Sequence, residues 1–240
     1  MEKNKKLNFI AEICQNHQGK FSNVEKMINE CAEAGASIVK AQYIFSKNLT
    51  YRPIFENGYK KKNIIDSIKR PYLNEKKRLR KLDLKKKDYE KFVRICEKAS
   101  VKPMITCFAR EHIGELKDMG FKLVKVASYD CSSFRMIKDL SKKFRKIIIS
   151  TGATYDNEIK FTSEILKNKF FVLLHCVSIY PTPLNFLNLS RINFLKKFSK
   201  YVGYSDHSLS IGNNRNLACK AAIIFGASYL ERHVTILDHD

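Results

Sequence analysis

The sequence predicts a closed (β/α)8 barrel formed by a single domain that spans residues 1–240. Eight short apolar runs alternate with amphipathic segments, and the length of 240 residues is close to the roughly 250 residues typical of such a barrel. The runs are residues 7–14, 37–44, 102–107, 123–128, 146–150, 171–177, 201–204 and 228–234. Their near-continuous apolar character is typical of parallel strands that are buried on both faces. We therefore expect a TIM barrel rather than an open doubly wound sheet.

The segment after the first run has the 3.6-residue period of a helix. Its apolar side chains fall on one helical face, namely Val24, Met27, Ile28 and Cys31. Ser22 or Asn23 precedes this face and is expected to cap the N-terminus of the helix. Gly35 follows it, and glycine commonly ends a helix because it adopts the left-handed conformation without strain.

A long insertion separates the second run from its helix. Residues 46–84 are too many for an ordinary βα connection, which usually has about two to six residues. Long connections on a rigid scaffold often carry binding or catalytic residues. We interpret this insertion as an active-site loop.

The chain stops soon after the last apolar run, which finishes near residue 234, and the final residue is Asp240. The remaining residues are too few for a crossover helix, so we expect a barrel without its eighth helix. The apolar flank of the first and eighth strands is then expected to be exposed unless a partner, a second copy or further sequence covers it.

The composition is strongly basic, with 45 Lys and Arg against 24 Asp and Glu and a formal net charge of +21. Such a charge attracts polyanions in general. The lysines are spread through predicted helices and loops, without the interleaved aromatic residues of a nucleic-acid surface. We therefore expect no sequence-specific nucleic-acid partner.

Membrane insertion and export are both disfavoured by the sequence. No apolar run reaches the roughly 18 residues of a membrane helix, and the charged start from Met1 to Lys6 lacks the apolar core of a signal peptide. The seven cysteines form no CxxC pair, which favours reduced thiols in a cytosol. We expect a cytoplasmic protein that does not contact a membrane.

Two lysines lie inside otherwise apolar predicted strands. An unpaired ammonium is costly there, so Lys40 and Lys125 are each expected to meet an anion such as a phosphate or a carboxylate. The carboxyl ends of the strands share one rim of a barrel, where hydroxyl groups of Thr106, Ser128 and Ser150 would complete an anion pocket. The alternative is a structural ion pair with Glu12, Asp130 or Glu231.

Two histidines follow the ends of neighbouring predicted strands. His207 and His233 could converge on one divalent ion such as Mn²⁺ and leave positions open for water and substrate. The alternative is that each imidazole only forms hydrogen bonds. Asp206 and Glu231, beside the histidines in sequence, are candidates for orienting the two rings.

A carboxylate and an amide lie near the ends of the first two predicted strands. Glu12, with Gln42 beside it, could hold sugar hydroxyls or move a proton. The alternative for Glu12 is an ion pair with Lys40.

Nine short motifs occur in order along the chain and together resemble the sialic acid synthase family. They are Ala11-Glu12-Ile13, Asn16-His17-Gln18-Gly19, Val39-Lys40-Ala41-Gln42, Lys125-Val126-Ala127-Ser128, Ile149-Ser150-Thr151-Gly152, Leu174-His175-Cys176, Tyr180-Pro181-Thr182-Pro183, Gly203-Tyr204-Ser205-Asp206-His207 and Leu230-Glu231-Arg232-His233. The Tyr-Pro-Thr-Pro and Ser-Asp-His segments are the most specific of them. The resemblance covers about residues 8–235.

The resemblance implies a metal-dependent condensation of phosphoenolpyruvate with an N-acetylated hexosamine, such as N-acetylmannosamine, to give a sialic or other nonulosonic acid and phosphate. It implies Mn²⁺ as the cofactor, with Mg²⁺ or Co²⁺ as alternatives, and a homodimer. Three sets of residues follow from it: the metal ligands His207 and His233; the substrate-binding residues Lys40, Thr106, Phe108, Lys125, Ser128, Ser150 and Ser178; and the catalytic residues Glu12, Gln42, Asp130 and Tyr180.

The sequence departs from the family pattern at several positions. Asp130, Cys107 and Ser178 stand where the family usually has Glu, Pro and Asn. Family members also continue beyond the His233 segment with a Gly-Pro-Asp motif, an eighth helix and an antifreeze-like domain. Two alternatives to an active synthase therefore stay open: a non-catalytic or partner-dependent remnant that binds ligand without turnover, and another phosphoenolpyruvate-dependent barrel synthase that uses a phosphorylated aldose.

Overall fold

A computed structural model describes residues 7–61, 64–67, 69–209 and 216–237. In chain order its strands are β1 (Asn8–Glu12), β2 (Ile38–Tyr43), β3 (Tyr59–Lys61), β4 (Ile64–Ser67), β5 (Lys102–Cys107), β6 (Leu123–Val126), β7 (Lys146–Ser150), β8 (Phe170–His175), β9 (Tyr201–Asp206) and β10 (Tyr229–His233). Its helices are α1 (Phe21–Glu33), α2 (Pro53–Asn57), α3 (Tyr72–Arg80), α4 (Lys86–Lys98), α5 (Ile113–Asp118), α6 (Phe134–Lys143), α7 (Asp156–Leu166), α8 (Arg191–Leu195) and α9 (Leu217–Ile224).

The eight predicted strands are confirmed, and they close into a parallel barrel in the order β1-β10-β9-β8-β7-β6-β5-β2. The last strand pairs with the first over their whole length, so that Glu12 lies opposite His233. On the other side of β1, Glu12 pairs with Lys40 of β2. The closure therefore places residues from both ends of the chain at one point of the rim. Among the described residues, no helix follows β10.

The first helix has the predicted buried face, and its end is also as predicted. Val24, Met27, Ile28 and Cys31 are buried, and Gly35 lies just beyond the helix with φ of +83°. The predicted cap is wrong. Lys20 occupies the capping position without a side-chain cap, and Asn23 instead donates its amide to the His17 carbonyl at 3.2 Å.

The inside of the barrel consists of an apolar layer with a polar layer above it. The apolar layer is formed by Ile10, Ile38, Met104, Leu123, Ile148, Val172 and Leu174. Since successive side chains of a strand point to opposite faces, the residue two positions further on also points inward. This period places Glu12, Lys40, Thr106, Lys125 and Ser150 in the second layer. The apolar layer fills the barrel, so the polar layer is reached only from the carboxyl ends of the strands.

The insertion between β2 and α4 contains regular secondary structure. Its described part contains the antiparallel pair β3–β4 together with α2 and α3. Ser46 and Asp83 hold its two ends together, because the Asp83 carboxylate accepts bonds from the Ser46 backbone N–H at 2.8 Å and its hydroxyl at 2.6 Å. The two ends of the insertion therefore lie next to each other beside the rim.

No helix within the described ranges combines the length and the apolar character needed to cross a lipid bilayer.

Candidate active site

Four charged side chains are buried together in the polar layer of the barrel. Glu12, Lys40, Lys125 and Glu231 are each 4% exposed or less. Lys40 forms an ion pair with Glu12, and its Nζ lies 3.3 Å from Glu231 Oε2. Lys125 Nζ lies 3.4 Å from Glu231 Oε1. Two ammonium groups and two carboxylates therefore balance formally, with Glu231 shared between both lysines.

Two of the three hydroxyl groups predicted to line the anion pocket, those of Thr106 and Ser150, contact this charged cluster, whereas the Ser128 hydroxyl does not. Lys40 donates to Thr106 Oγ1 at 3.3 Å, and Lys125 donates to Ser150 Oγ at 2.7 Å. Lys40 is thus surrounded by three oxygens and takes part in the ion pair that the sequence left as an alternative. Lys125 has two oxygen partners among the described residues, which leaves one ammonium hydrogen for a ligand.

The shared carboxylate makes the two lysines unequal. Burial alone would lower the pKa of Lys40, but Glu12 and Glu231 outweigh burial and raise it. Burial also lowers the pKa of Lys125, and there Glu231 alone does not offset it, while the nearby Lys40 lowers it further. The charge on Lys125 is therefore incompletely neutralised, and an additional anion beside it would be stabilised.

Glu231 is held as a carboxylate by its neighbours. Burial raises its pKa, but Lys125 and Lys40 outweigh this effect, and the pKa lies below its usual range. The Ser205 hydroxyl also donates to Glu231 Oε1 at 2.8 Å. The site role of Ser205 was missed by the sequence reasoning. The two-residue period would have found it, because Ser205 and Gly203 share the inward face of β9.

The position of the ring hydrogen of His207 is fixed by a backbone carbonyl. Its Nδ1 lies 2.7 Å from the Val177 carbonyl oxygen, and since a carbonyl can only accept, Nδ1 carries the hydrogen. Burial lowers the pKa of His207 to about 4, so the ring is neutral near pH 7 and Nε2 has a free electron pair. A ring N–H donated to a backbone carbonyl is typical of metal-binding histidines.

The second histidine is close enough to share a metal with the first. The ring centroids of His207 and His233 lie 6.2 Å apart, which is compatible with metal–nitrogen bonds of about 2.1 Å from both rings. The described residues contain no group of three or more His, Cys, Asp or Glu side chains arranged for a metal ion. The protein would therefore supply two imidazoles and leave the other positions to water and substrate.

Tyr180 covers His207 at the rim. Its hydroxyl donates to His207 Nε2 at 2.7 Å, and the two rings stack with centroids 3.9 Å apart. The Thr182 backbone N–H donates to the His207 carbonyl at 2.8 Å. The Tyr-Pro-Thr segment and the Ser-Asp-His segment are thus one connected unit.

The interpretation of Asp206 as a group that orients an imidazole is wrong. Its side chain points away from the barrel interior, where one carboxylate oxygen accepts bonds from Tyr204 at 3.2 Å and the Ser208 backbone at 2.8 Å. The other oxygen accepts from Cys219 of α9 at 3.3 Å and lies 3.6 Å from Arg232. Among the described contacts, Glu231 likewise bonds Ser205 and the lysines rather than an imidazole.

Ser128 and Ser178 lie on either side of Gly152. The Gly152 backbone N–H donates to Ser128 Oγ at 3.2 Å, and Ser128 Oγ lies 3.0 Å from Cys176 Sγ. A Cβ atom at Gly152 would come within 2.7 Å of Ser178 Oγ and 2.8 Å of Cys176 Sγ. The absence of a side chain at Gly152 therefore allows the ends of β6, β7 and β8 to approach closely.

Three predicted residues lie around the charged cluster without bonding to it in the described part of the chain. Gln42 donates to Cys14 Sγ at 3.3 Å, and Phe108 is half-buried just beyond β5. Asp130 accepts from Ser133 at 3.2 Å. Burial raises the pKa of Asp130, while the Ser133 hydroxyl and the charge of Arg52 oppose the rise. Arg52 belongs to the insertion, and its charge effect on Asp130 could not be read from the sequence.

Relatives of this chain are synthases of nonulosonic acids. The model of the NeuB family matches residues 27–240. The N,N'-diacetyllegionaminic acid synthase of Campylobacter jejuni is 30% identical, with 97% of this chain and 68% of that protein covered. The pseudaminic acid synthase of the same species is 32% identical, with 95% of this chain and 65% of that protein covered. The chain thus spans about two thirds of the length of these relatives.

A solved structure has the same fold. The N-acetylneuraminic acid (sialic acid) synthetase from Leptospira borgpetersenii superimposes with a TM-score of 0.81 at 27% identity, covering 97% of this chain and 74% of that one. The family match covers far more than half of the chain, and the relatives agree with it. The chain belongs to the NeuB family.

Proposed function

We propose that this chain forms the barrel of a synthase that condenses phosphoenolpyruvate with an N-acetylated hexosamine, giving a nonulosonic acid and phosphate. The observation that carries the proposal is the buried cluster of Lys40, Lys125, Glu12 and Glu231. Ser205 links it to His207, because its hydroxyl donates to Glu231 and lies 3.4 Å from His207 Nε2. The cluster contains one incompletely neutralised ammonium, on Lys125. Phosphoenolpyruvate carries a phosphate and a carboxylate, and either group fits that ammonium and the adjacent hydroxyls.

The chain's own residues account for binding of the anionic substrate. Lys125 has a hydrogen to donate, and Ser150 lies 2.7 Å from it. Ser128 and Ser178, beside Gly152, extend the donor set toward the rim. Lys40 and Thr106 support the same pocket from β2 and β5, with Lys40 also neutralising Glu12.

The acceptor sugar is proposed to bind above this pocket. The stacked rings of Tyr180 and His207 line one side of the proposed sugar site. Its other sides are lined by residues at the ends of β5, β2 and β6, namely Phe108, Gln42 and Asp130. Phe108 offers an apolar face for a sugar ring, while the amide and the carboxylates offer partners for its hydroxyls. Glu12 is the buried carboxylate nearest to the rim on β1 and is the candidate for moving a proton.

The proposed cofactor is Mn²⁺, with Mg²⁺ or Co²⁺ as alternatives, held by Nε2 of His207 and by His233. When bound, the ion supplies a Lewis acid that polarises the aldehyde oxygen. Carbon 3 of phosphoenolpyruvate forms the new C–C bond with the aldehyde carbon, using the electrons of its double bond. The aldehyde oxygen keeps the carbonyl electron pair and takes up one proton, which gives a hydroxyl. Water then adds to the electron-poor carbon 2 and loses a proton. The new carbon-2 hydroxyl loses its proton as the carbon–oxygen bond to phosphate breaks, which leaves the keto acid and inorganic phosphate.

The reaction is tested by measuring the inorganic phosphate that the 240-residue chain releases from phosphoenolpyruvate. Release is expected only when phosphoenolpyruvate, an N-acetylated hexosamine and Mn²⁺ are all present. Release that ignores the sugar contradicts the proposal, and release with a phosphorylated aldose instead identifies the other type of barrel synthase. If phosphoenolpyruvate binds in calorimetry but no sugar supports release, the chain binds its ligand without turnover.

The metal ligands are tested separately from turnover. His207→Ala is expected to abolish Mn²⁺ binding in a calorimetric titration. The substitution removes Nε2, the ring nitrogen that has a free electron pair because Nδ1 donates its hydrogen to the Val177 carbonyl. His112→Gln is the matched control, since that ring lies against Tyr43. Unchanged affinity in His207→Ala removes the assignment.

A homodimer is proposed from the family resemblance, and a cytosolic location from the pattern of the cysteines. All seven cysteines are free thiols, which supports a reducing compartment. Light scattering of the purified chain measures the oligomeric state.

A further inference from the structure

A groove lies at the opposite end of the barrel from the candidate active site. It has a volume of about 390 Å³ and is formed by the C-terminal end of α7 and by the segments that lead into β8 and β9. This volume falls within the range of small-molecule pockets. Because these segments enter the strands at their amino ends, the groove shares no residue with the charged cluster.

Four exposed lysines line the groove: Lys167, Lys169, Lys197 and Lys200. Glu164 is the single carboxylate among the lining residues, and it is 3.8 Å from Lys167. Within the described ranges, the other three lysines have no carboxylate within 4 Å. The groove therefore carries a net positive charge and favours an anionic ligand.

The positive charge continues around this end of the barrel. A lysine stands at or just before the first residue of five neighbouring strands, from β5 to β9: Lys102, Lys122, Lys146, Lys169 and Lys200. The strands are adjacent in the barrel, so the five charges form an arc. An arc of one sign raises the local concentration of anions at the groove.

Aromatic rings stand among these lysines. Phe170 and Tyr201 contact each other with centroids 4.5 Å apart, and Phe198 packs edge-on against Phe194 at 5.1 Å. Phe170, Tyr201 and Phe198 are only half-buried, so parts of these rings are accessible from the groove. Base stacking on aromatic rings beside a positively charged surface is how proteins hold the two halves of a nucleotide.

We propose that this groove binds a nucleotide, with the base against Phe198 and Tyr201 and the phosphates on Lys169, Lys197 and Lys200. A mononucleotide fits the groove better than a nucleic-acid strand does, because the aromatic rings are confined to a pocket of small-molecule size. The site lies on the face opposite to the rim and is independent of the proposed synthase reaction.

The site is tested by calorimetric titration of the 240-residue chain with ATP in metal-free buffer. ATP is expected to bind at one site per chain and to stay bound when phosphoenolpyruvate is added. The double variant Lys169→Gln/Lys200→Gln is expected to weaken ATP binding by at least about tenfold, because each lysine loses a charge-assisted bond. The charge-matched control Lys26→Gln/Lys87→Gln changes exposed lysines of α1 and α4 and should bind ATP as the unaltered chain does.

The aromatic half of the site is tested with Phe198→Leu, which keeps an apolar side chain. This variant is expected to weaken ATP binding several-fold and to leave the binding of inorganic tripolyphosphate unchanged. Three results overturn the proposal: no ATP binding, displacement of ATP by phosphoenolpyruvate, or equal binding of tripolyphosphate and ATP with no effect of Phe198→Leu. An oligonucleotide that binds more tightly per base than ATP also overturns it, in favour of a nucleic-acid surface.

Discussion

The Tyr180 hydroxyl donates a hydrogen bond to Nε2 of His207 at 2.7 Å. Since the Val177 carbonyl fixes the hydrogen on Nδ1, Nε2 is the only nitrogen of this ring that can bind a metal. Tyr180 and the proposed metal ion would therefore compete for the same electron pair. The tyrosine hydroxyl holds the imidazole in place, and it would have to move for the proposed ion to bind.

Tyr180→Phe is expected to bind Mn²⁺ about two- to tenfold more tightly, because one neutral hydrogen bond, worth about 0.5–1.5 kcal/mol, no longer has to be broken. A calorimetric Mn²⁺ titration measures the change. Tyr129→Phe removes the hydroxyl of another exposed rim tyrosine and should leave the affinity unchanged. Weaker binding in Tyr180→Phe would mean that the phenol oxygen helps to hold the metal.

Glu231→Gln is expected to destabilise the fold by about 3–5 kcal/mol, because it leaves two buried lysines with a single carboxylate, that of Glu12. Urea unfolding measures the loss. Glu33→Gln, an exposed change at the end of α1, is the control and should cost less than about 0.5 kcal/mol.

The stability contributed by Glu231 has a defined pH dependence. Because its pKa is lowered in the folded state from about 4.3 in the unfolded chain, its contribution is fully present above that unfolded value and is lost as the pH falls through the folded pKa. The difference in unfolding free energy between the unaltered chain and Glu231→Gln should therefore be constant from pH 8 to about pH 5. A difference that shrinks between pH 8 and pH 6 would contradict the lowered pKa.

The two buried lysines should respond differently to removal of their charge. Lys40→Met leaves Glu12 without its ion-pair partner and is expected to cost about 3–5 kcal/mol of stability. Lys125→Met leaves Glu231 paired with Lys40 and should cost less, about 1–3 kcal/mol. The order reverses for ligand binding, since Lys125→Met should weaken phosphoenolpyruvate binding at least about tenfold. Urea unfolding compares the stabilities of the two variants, and calorimetry compares their affinities for phosphoenolpyruvate. A larger loss of stability in Lys125→Met than in Lys40→Met would show that Lys40 is not the better paired of the two lysines.

Gly152→Ala places a methyl group within 2.7 Å of Ser178 Oγ and 2.8 Å of Cys176 Sγ. We expect a loss of stability of about 1–3 kcal/mol together with weaker phosphoenolpyruvate binding, because Ser128 and Ser178 must move apart. Gly114→Ala is the matched control, since a Cβ there meets no atom within 4 Å. Gly114 is the second residue of α5, and this control should gain about 0.4–1 kcal/mol because alanine restricts the unfolded chain more than glycine does. Equal effects of the two variants in thermal unfolding would show that Gly152 is not closely packed.

The barrel and most of the inward-facing site residues could be predicted from the sequence, because eight apolar runs fix the strands and a period of two fixes which side chains share a face. The same period, applied to Ser205, would have placed Asp206 on the outer face of β9, where it bonds Tyr204 and Cys219. The division of carboxylates between Lys40 and Lys125 could not be predicted. It depends on the distances between side chains of β1, β2, β6 and β10, and these distances cannot be read from a short stretch of sequence.

The insertion was recognised by its length, but its internal structure was not. Its short strands β3 and β4 lie among lysines and lack the long apolar runs of the barrel strands. The bond from Ser46 to Asp83 joins residues far apart in the sequence, and such contacts are set by the tertiary fold. The effect of the Arg52 charge on the pKa of Asp130 likewise depends on the tertiary fold.

The pairing of β1 with β10 has a consequence for the order in which the protein forms. Glu12 and Glu231 meet around Lys40 only after β10 has been synthesised and has paired with β1, and contacts between residues so far apart in the sequence form slowly. A half-folded chain can already hold Glu12 against Lys40, because β1 and β2 are consecutive strands. The ion pairs of both lysines with Glu231 form only when β10 joins the sheet. The proposed anion pocket is therefore complete only after this late step, and the appearance of phosphoenolpyruvate binding during refolding would time the closing of the barrel.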